Sequence, residues 1–264
     1  MRNLFFAVVA SLGLFLVGCN DDDNNSNSNG QATVELRLTD DPANYEEVNI
    51  DIQQIVFKMN SGDDITFPLE NPGIFNLLEL NNGIDVLLGE AIFPVGDISQ
   101  IRLVLGENNT IKVDGTVHPL DTPSAQQSGL KINVQYTLEP NMVYKIWLDF
   151  DAGKSIVERG NGTYGLKPVI TAYTDLTNGM IEGTVLPIEA LTTVYAMQNE
   201  VDTVATAIPN LDGYFKFMGM PEGSYNLKFD AENPNFQDQE LGAVNVVFGT
   251  VTNVGEIIMM PPIP

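Results

Sequence analysis

The chain has 264 residues, 35 of them acidic against 12 basic, with one cysteine, one histidine and a formal charge of −23. Such a field repels nucleic acid and anionic membrane surfaces, which excludes nucleic-acid binding and means that any hold on a membrane comes from lipid rather than from basic residues. A lone cysteine forms no intramolecular disulfide, and one histidine beside it cannot assemble a zinc site of the His and Cys type.

The first residues are ordered as an export signal is. Arg2 supplies the positive start, Leu4 to Val17 is apolar apart from Ser11 and Gly13, and small Gly18 precedes Cys19. Those fourteen residues are too few to cross a bilayer as a helix, which takes about 20. Leu16-Val17-Gly18-Cys19 resembles the lipobox of bacterial lipoproteins. The resemblance implies a diacylglycerol on the Cys19 sulfur, removal of residues 1–18 and acylation of the new amine. Several acyl chains at ~0.8 kcal/mol per buried CH₂ then hold the protein on a membrane.

Cleavage leaves 246 residues with a charge of −24, long enough to bury a core without disulfides. Asn20 to Gln31 reads NDDDNNSNSNGQ and has no apolar residue, so residues 19–31 are expected to be the lipidated cysteine and a disordered tether. An acidic run here resembles the surface-export signal of some Gram-negative lipoproteins, and position 20 is Asn rather than the Asp of an inner-membrane retention signal. The expected address is the outer membrane, facing the periplasm or the cell surface.

Beyond the tether the pattern is that of strands. Val34, Leu36 and Leu38 alternate with Thr33, Glu35, Arg37 and Thr39 until Asp40-Asp41-Pro42 breaks the run. Val48, Ile50 and Ile52 hold one phase and Ile55, Phe57 and Met59 the other, which predicts a β-bulge near Gln53-Gln54. Strand-type runs follow at Ile65 to Leu69, Ile74 to Leu80, Val86 to Phe93 and Ile98 to Leu105. Asp114-Gly115 marks a tight hairpin. Two more alternating strands contain Leu130 to Thr137 and Tyr144 to Phe150, and a last run, Tyr164 to Tyr173, carries Pro168 as the sign of an edge or a bulge. No run of helical period with caps appears, and short strands at this spacing predict a sandwich or barrel.

Over Thr33 to Tyr173 several blocks occur in order: Leu38-Thr39-Asp40-Asp41-Pro42-Ala43, Val48 to Phe57, Asn76 to Leu80, Gln100 to Leu103, Thr122 to Lys131, Asp149-Phe150-Asp151-Ala152 with Ser155-Ile156-Val157, and Leu166 to Ile170. Together they resemble the family named domain of unknown function 4382. The resemblance implies a β-rich extracytoplasmic lipoprotein domain and carries no established activity. Ala125 departs from the family, which has glycine there, and so leaves open the backbone of that loop.

A polar linker, Thr174 to Gly179, ends this part. Beyond it, Ile181 to Val185, Asn210 to Phe217 and Pro221 to Leu227 resemble the transthyretin-like regulatory domain found beside carboxypeptidases, which implies a small seven-stranded sandwich used as a spacer or docking module, without catalysis. From the residues themselves, Phe215 and Phe217 lie on one strand and Tyr225, Leu227 and Phe229 on the next, and the Gly- and Pro-rich turn between them predicts a half-buried hairpin. The fold class expected is therefore all-β: two sandwiches in tandem, at 32–174 and 179–264, after a cleaved lipoprotein signal and a tether.

Few residues bear chemistry. His118 precedes Pro119 away from any nucleophile elbow and is expected to be a surface residue near a hairpin end. Asp149 and Asp151 share one face of a strand roughly 6 to 7 Å apart, within the range of glycosidase carboxylates. That spacing makes a carboxylate hydrolase the rival reading, although chance pairs of acids are frequent in so acidic a chain. The same pair is the candidate calcium ligand set, with Asp40, Asp41 and the loop Ser124 to Ser128 as further oxygen donors. Against both stands a solvated strand end capped by Lys154. Trp147 lies opposite Ile146 and Leu148, either exposed for a sugar to stack on or buried under a second covered face. Asn210 to Gly213 resembles a fragment of a calcium loop but lacks its length and final Glu, so it reads as a turn, and Asp202-Thr203-Val204 fits a short O-glycosylation pattern. The functional expectation is a non-enzymatic, lipid-anchored envelope protein with a protein or glycan partner, acting in binding, adhesion or envelope assembly.

Overall fold

A computed structural model describes residues 30–122, 129–160, 162–199 and 202–262. The expectations for the signal, Cys19, the tether up to residue 29, Ala125 and the loop Ser124 to Ser128 lie outside these residues. The protein is all-β, in sandwich-like units. Among the described residues no helix is long and apolar enough to cross a membrane.

The first half contains β1 (Gln31–Asp41), β2 (Glu47–Met59), β3 (Ile65–Phe67), β4 (Gly73–Asn76), β5 (Val86–Pro94), β6 (Gly96–Leu105) and β7 (Thr110–Val113). It continues with β8 (Thr116–Asp121), β9 (Leu130–Leu138), β10 (Val143–Asp151), the helical turn α1 (Ala152–Ser155), β11 (Ile156–Glu158), β12 (Tyr164–Leu166) and β13 (Ile170–Thr174). One sheet has the order β13-β10-β1-β5; the other runs β11-β12-β8-β7-β2-β6-β9, with β3 and β4 also paired to β2. Val34, Leu36 and Leu38 of β1 face inward with no exposed surface. In β2 the register with β6 shifts between Ile52 and Gln54. That extra residue lets Ile50 and Ile52, then Ile55 and Phe57, all bury in one core despite their opposite phases. Asp114 and Gly115 take φ of 49° and 72°, the left-handed pair of a type I′ turn, and join β7 to β8.

Two strand expectations need correction. The run Ile74 to Leu80 ends as a strand at Asn76, and Leu77–Glu79 form a 3₁₀ turn; Leu77 and Leu80, three apart, both bury on its inner side. The run Tyr164 to Tyr173 is two strands in different sheets. Pro168 lies between them, where the missing N–H cannot serve a ladder and the chain crosses from one sheet to the other.

The second half contains β14 (Asn178–Leu186), β15 (Thr192–Gln198), β16 (Asp202–Ala207), β17 (Tyr214–Pro221), β18 (Gly223–Ala231), β19 (Gln239–Val246) and β20 (Val251–Ile258). These form a β17-β14-β20 sheet and a β16-β15-β18-β19 sheet with a core of their own. The expected hairpin of the two aromatic strands is also corrected, because β17 pairs with β14 whereas β18 pairs with β15 and β19. Pro221-Glu222-Gly223 is instead a corner between the sheets. Both aromatic faces still meet, since they line the same core from opposite sides: Phe215 and Phe229 touch edge to face at 5.9 Å.

Candidate acidic site between the two halves

Strand β10 runs parallel to β1, with Arg37 opposite Trp147, Thr39 opposite Asp149 and Asp41 opposite Asp151. Because the strands are parallel, both acidic ends emerge at the same edge, and alternation puts these six side chains on the face turned away from the first core. The second half covers that face. Trp147 is 6% exposed, stacked on Tyr173 at 5.6 Å and 9°, and donates from Nε1 to Asp85 Oδ2 at 2.8 Å. Asp85 also pairs with Arg37. Trp147 is thus buried under a second face rather than open to a sugar.

Contact across the seam is close. Asn82 Nδ2 donates to Ile208 O at 2.7 Å. Gly219, at φ +64°, lies so near Tyr173 that a Cβ there would sit 2.5 Å from the ring carbon Cδ1. Gly219→Ala adds that clash to a left-handed backbone strain of about 1–2 kcal/mol. Trp147 is the single tryptophan, so the variant is expected to shift its emission to the red and raise its quenching by acrylamide while the far-ultraviolet spectrum stays unchanged. Unaltered emission would refute close packing at this point.

The acids have different fates. Asp151 caps α1, its Oδ1 accepting from Lys154 N at 2.8 Å and its Oδ2 paired with Lys154 Nζ at 2.6 Å. Asp40 is 5% exposed; its Oδ1 accepts from Ala152 N at 2.9 Å, and its Oδ2 is buried with no hydrogen-bond partner among the described residues. Asp149 keeps part of its surface in contact with solvent, yet its Oδ1 is buried and likewise unpartnered. Asn82 Oδ1 is the third such atom in this region. All three residues line a space of about 10 Å³, together with Thr39 and Asp41 and, from the second half, Thr206, Lys216 and Met218.

Burial and crowding act on these carboxyls in one direction. Loss of solvent pushes Asp40 up to about 9 and Asp41 up to about 6. It holds Asp149 well above the usual carboxylate range, with Asp41 and Asp151 adding like-charge repulsion. The cations nearby are already engaged: Lys154 with Asp151 at 2.6 Å, Lys216 with Glu182 at 3.6 Å. Among the described residues no three His, Cys, Asp or Glu side chains converge as metal ligands. Sequence reasoning missed Asn82, for which the only signal was the turn dipeptide Asn82-Gly83.

Elsewhere, His118 sits in β8 opposite Ile111, with its ring 5.1 Å from Tyr164. Asn210 to Gly213 is a turn, with Asn210 Oδ1 accepting from Asp212 N at 2.9 Å and from Tyr214 N at 3.0 Å. An apolar hollow of about 370 Å³ opens beside Ile188, Leu191, Ile208 and Leu211, and Leu211 is 89% exposed.

Comparison with protein families matches residues 31–168 to one described as "Domain of unknown function (DUF4382)". No curated protein matches the chain. Among solved structures, a type II cohesin–X-dockerin complex from Acetivibrio cellulolyticus is similar at 20% identity and a TM-score of 0.26, over 31% of this chain and 58% of that one. The TIE protein of Bacillus anthracis is similar at 10% identity and 0.25, over 88% of this chain and 34% of that one. The minor pilin GBS52 of Streptococcus agalactiae is similar at 11% identity and 0.24, over 89% and 98%. The chain therefore spans 58% and 34% of the first two structures' lengths.

Proposed function

The chain belongs to the family described as Domain of unknown function (DUF4382), a premise that assigns no activity, and from it we propose a non-enzymatic, lipid-anchored cell-envelope protein of the outer membrane. Acyl chains on Cys19 hold it there; the tether lifts two β-sandwich domains, divided at residues 174–179, toward a protein or glycan partner. The second domain serves as a transthyretin-like docking or spacer module.

One observation carries the non-enzymatic reading. The two acids that would form a hydrolase pair are not free in a cleft, since Asp151 is committed to α1 and Lys154 while Asp149 borders a space of about 10 Å³. A sugar ring does not fit in the volume of one water molecule. The binding reading draws support from the hollow beside Leu211, where aliphatic side chains in water suit the apolar side chains of a partner protein.

The anchor is tested by feeding labelled palmitate to cells making the wild type or Cys19→Ser. Label is expected in the wild type alone, with the variant lost from the membrane fraction. Equal labelling of the two would overturn the anchor.

A further inference from the structure

We propose that the hollow beside Leu211 docks a basic segment of a partner protein, whose aliphatic side chains fill the hollow while its Lys or Arg residues meet the acids around it. This partner chemistry rests on the binding reading proposed above and makes it specific. The hollow spans the seam: Asn44 of the first half lines it together with Val185, Ile188, Leu191, Ile208 and Leu211 of the second. Its volume of about 370 Å³ lies in the range of sites that hold a ligand.

The aliphatic wall is not left over from core packing. Ile188, Leu191, Ile208 and Leu211 are 44%, 60%, 39% and 89% exposed. Leu191 closes the 3₁₀ turn Ile188–Ala190 at φ 51° and ψ 56°, a left-handed position where glycine or asparagine is the ordinary choice. Leucine there is strained and shows most of its surface to water, so neither turn geometry nor the core accounts for it. Leu211 stands in the Asn210 to Gly213 turn, where turn chemistry favours small or polar residues. Both turns are braced: Leu191 O accepts from Glu232 N at 3.3 Å, Ala190 O from Asn233 N at 3.2 Å, and Asn210 O from Gly213 N at 2.9 Å. The wall is therefore in place before anything binds, which spares a ligand the cost of ordering it.

Charge names the occupant. Glu232 lines the hollow, and Glu189 and Asp212, next in sequence to Ile188 and Leu211, are exposed. Among the described residues no Lys, Arg or His lines it. The two lysines of the second half are engaged elsewhere, Lys216 with Glu182 at 3.6 Å and Lys228 with Asp230 and Asp238, each at 3.6 Å. An acidic rim around an apolar wall, in a chain of formal charge −23, complements a segment in which Lys or Arg flanks Leu, Ile or Val. A second copy of this chain is disfavoured, because a symmetric pairing sets the same acids face to face.

The test uses the full-length lipidated protein in phosphatidylcholine vesicles, with empty vesicles as the blank. Three short labelled peptides share two leucines and differ in the residues that flank them: lysine, serine or glutamate. Fluorescence anisotropy should show the lysine peptide binding at one site per chain and the glutamate peptide at least about tenfold more weakly, with serine between them and the lysine advantage shrinking as salt is added. Leu211→Ser should weaken the lysine peptide about tenfold or more. Leu191→Gly should also weaken it while Tm stays or rises, since glycine relieves the left-handed turn. Glu232→Gln should weaken the lysine peptide and leave the serine peptide unchanged, whereas Glu90→Gln in the first half should change neither. Binding that survives both leucine variants is a general attraction to an acidic chain and would overturn the site. Equal affinity for the three peptides would overturn the basic partner, and a concentration-dependent dimer lost in Leu211→Ser would give the hollow to a second copy instead. Silence of all three peptides would also overturn the docking site, while the envelope anchor stands or falls separately with the palmitate label.

Discussion

The protein will lose stability as pH rises from about 5 to about 8. A carboxyl whose folded-state affinity for protons is raised keeps its proton in the native state after the unfolded chain has released it. The native state then binds more protons, and unfolding free energy falls with pH between the two values. For Asp40 that window opens near the ordinary carboxylate value of 3.8 and closes at about 9. Asp149 shifts in the same direction, while the contribution of Asp41 is spent by about 6. The groups facing these carboxyls are Asp41, Asp151, Lys154 and Lys216, and the two lysines are paired elsewhere. At about 1.4 kcal/mol per pH unit, one such carboxyl takes away on the order of 4 kcal/mol across three units. Urea melts at pH 5, 6.5 and 8 will measure this. The double variant Asp40→Asn with Asp149→Asn should show a much flatter slope, because an amide has no proton to lose. A wild type no steeper than the double variant would refute the assignment.

Truncation of Phe57 will cost about 3–5 kcal/mol. Phe57 has no exposed surface and packs against Phe67 at 5.5 Å and edge-on against Phe93 at 4.9 Å, so its loss opens a cavity lined by two large rings. Those rings join β2, β3 and β5, which lie in both sheets of the first half, so they cannot collapse together without shifting a strand. The second half keeps its own core around Phe215 and Phe229. Calorimetry of Phe57→Ala should therefore show an early transition for the first half, ahead of a second transition. A loss below about 1 kcal/mol would mean that the site relaxes freely, against the packing described.

What the sequence made legible was local. Period two in β1 named the inward residues Val34, Leu36 and Leu38, the slip around Gln53 named the bulge, and Asp114-Gly115 named the hairpin. Partner choice was not legible, because alternation says which face is buried and nothing about which strand lies alongside. For that reason β17 and β18, joined by a short corner, read as a hairpin while lying in different sheets, and Tyr164 to Tyr173 read as one run. The site shows the same limit. Asp149 stood out by its spacing to Asp151, but its neighbours in space are Thr39, Asp40 and Asn82, which only the parallel pairing of β1 with β10 and the turn at Asn82 bring together.

That parallel pairing also sets an order of events. Thr33 meets Val143, 110 positions further along, and a parallel neighbour cannot be reached by a short turn. As the chain is synthesised from its N-terminus, β1 arrives first and waits for β10 with one edge open and Val34, Leu36 and Leu38 uncovered. The second half repeats the arrangement, since Met180 of β14 meets Val251 of β20. Each half thus begins with a strand whose partner comes late, which makes maturation slow by loop closure and leaves a sticky edge in transit. A holding chaperone would meet its client at Ala32 to Leu38 before any other strand.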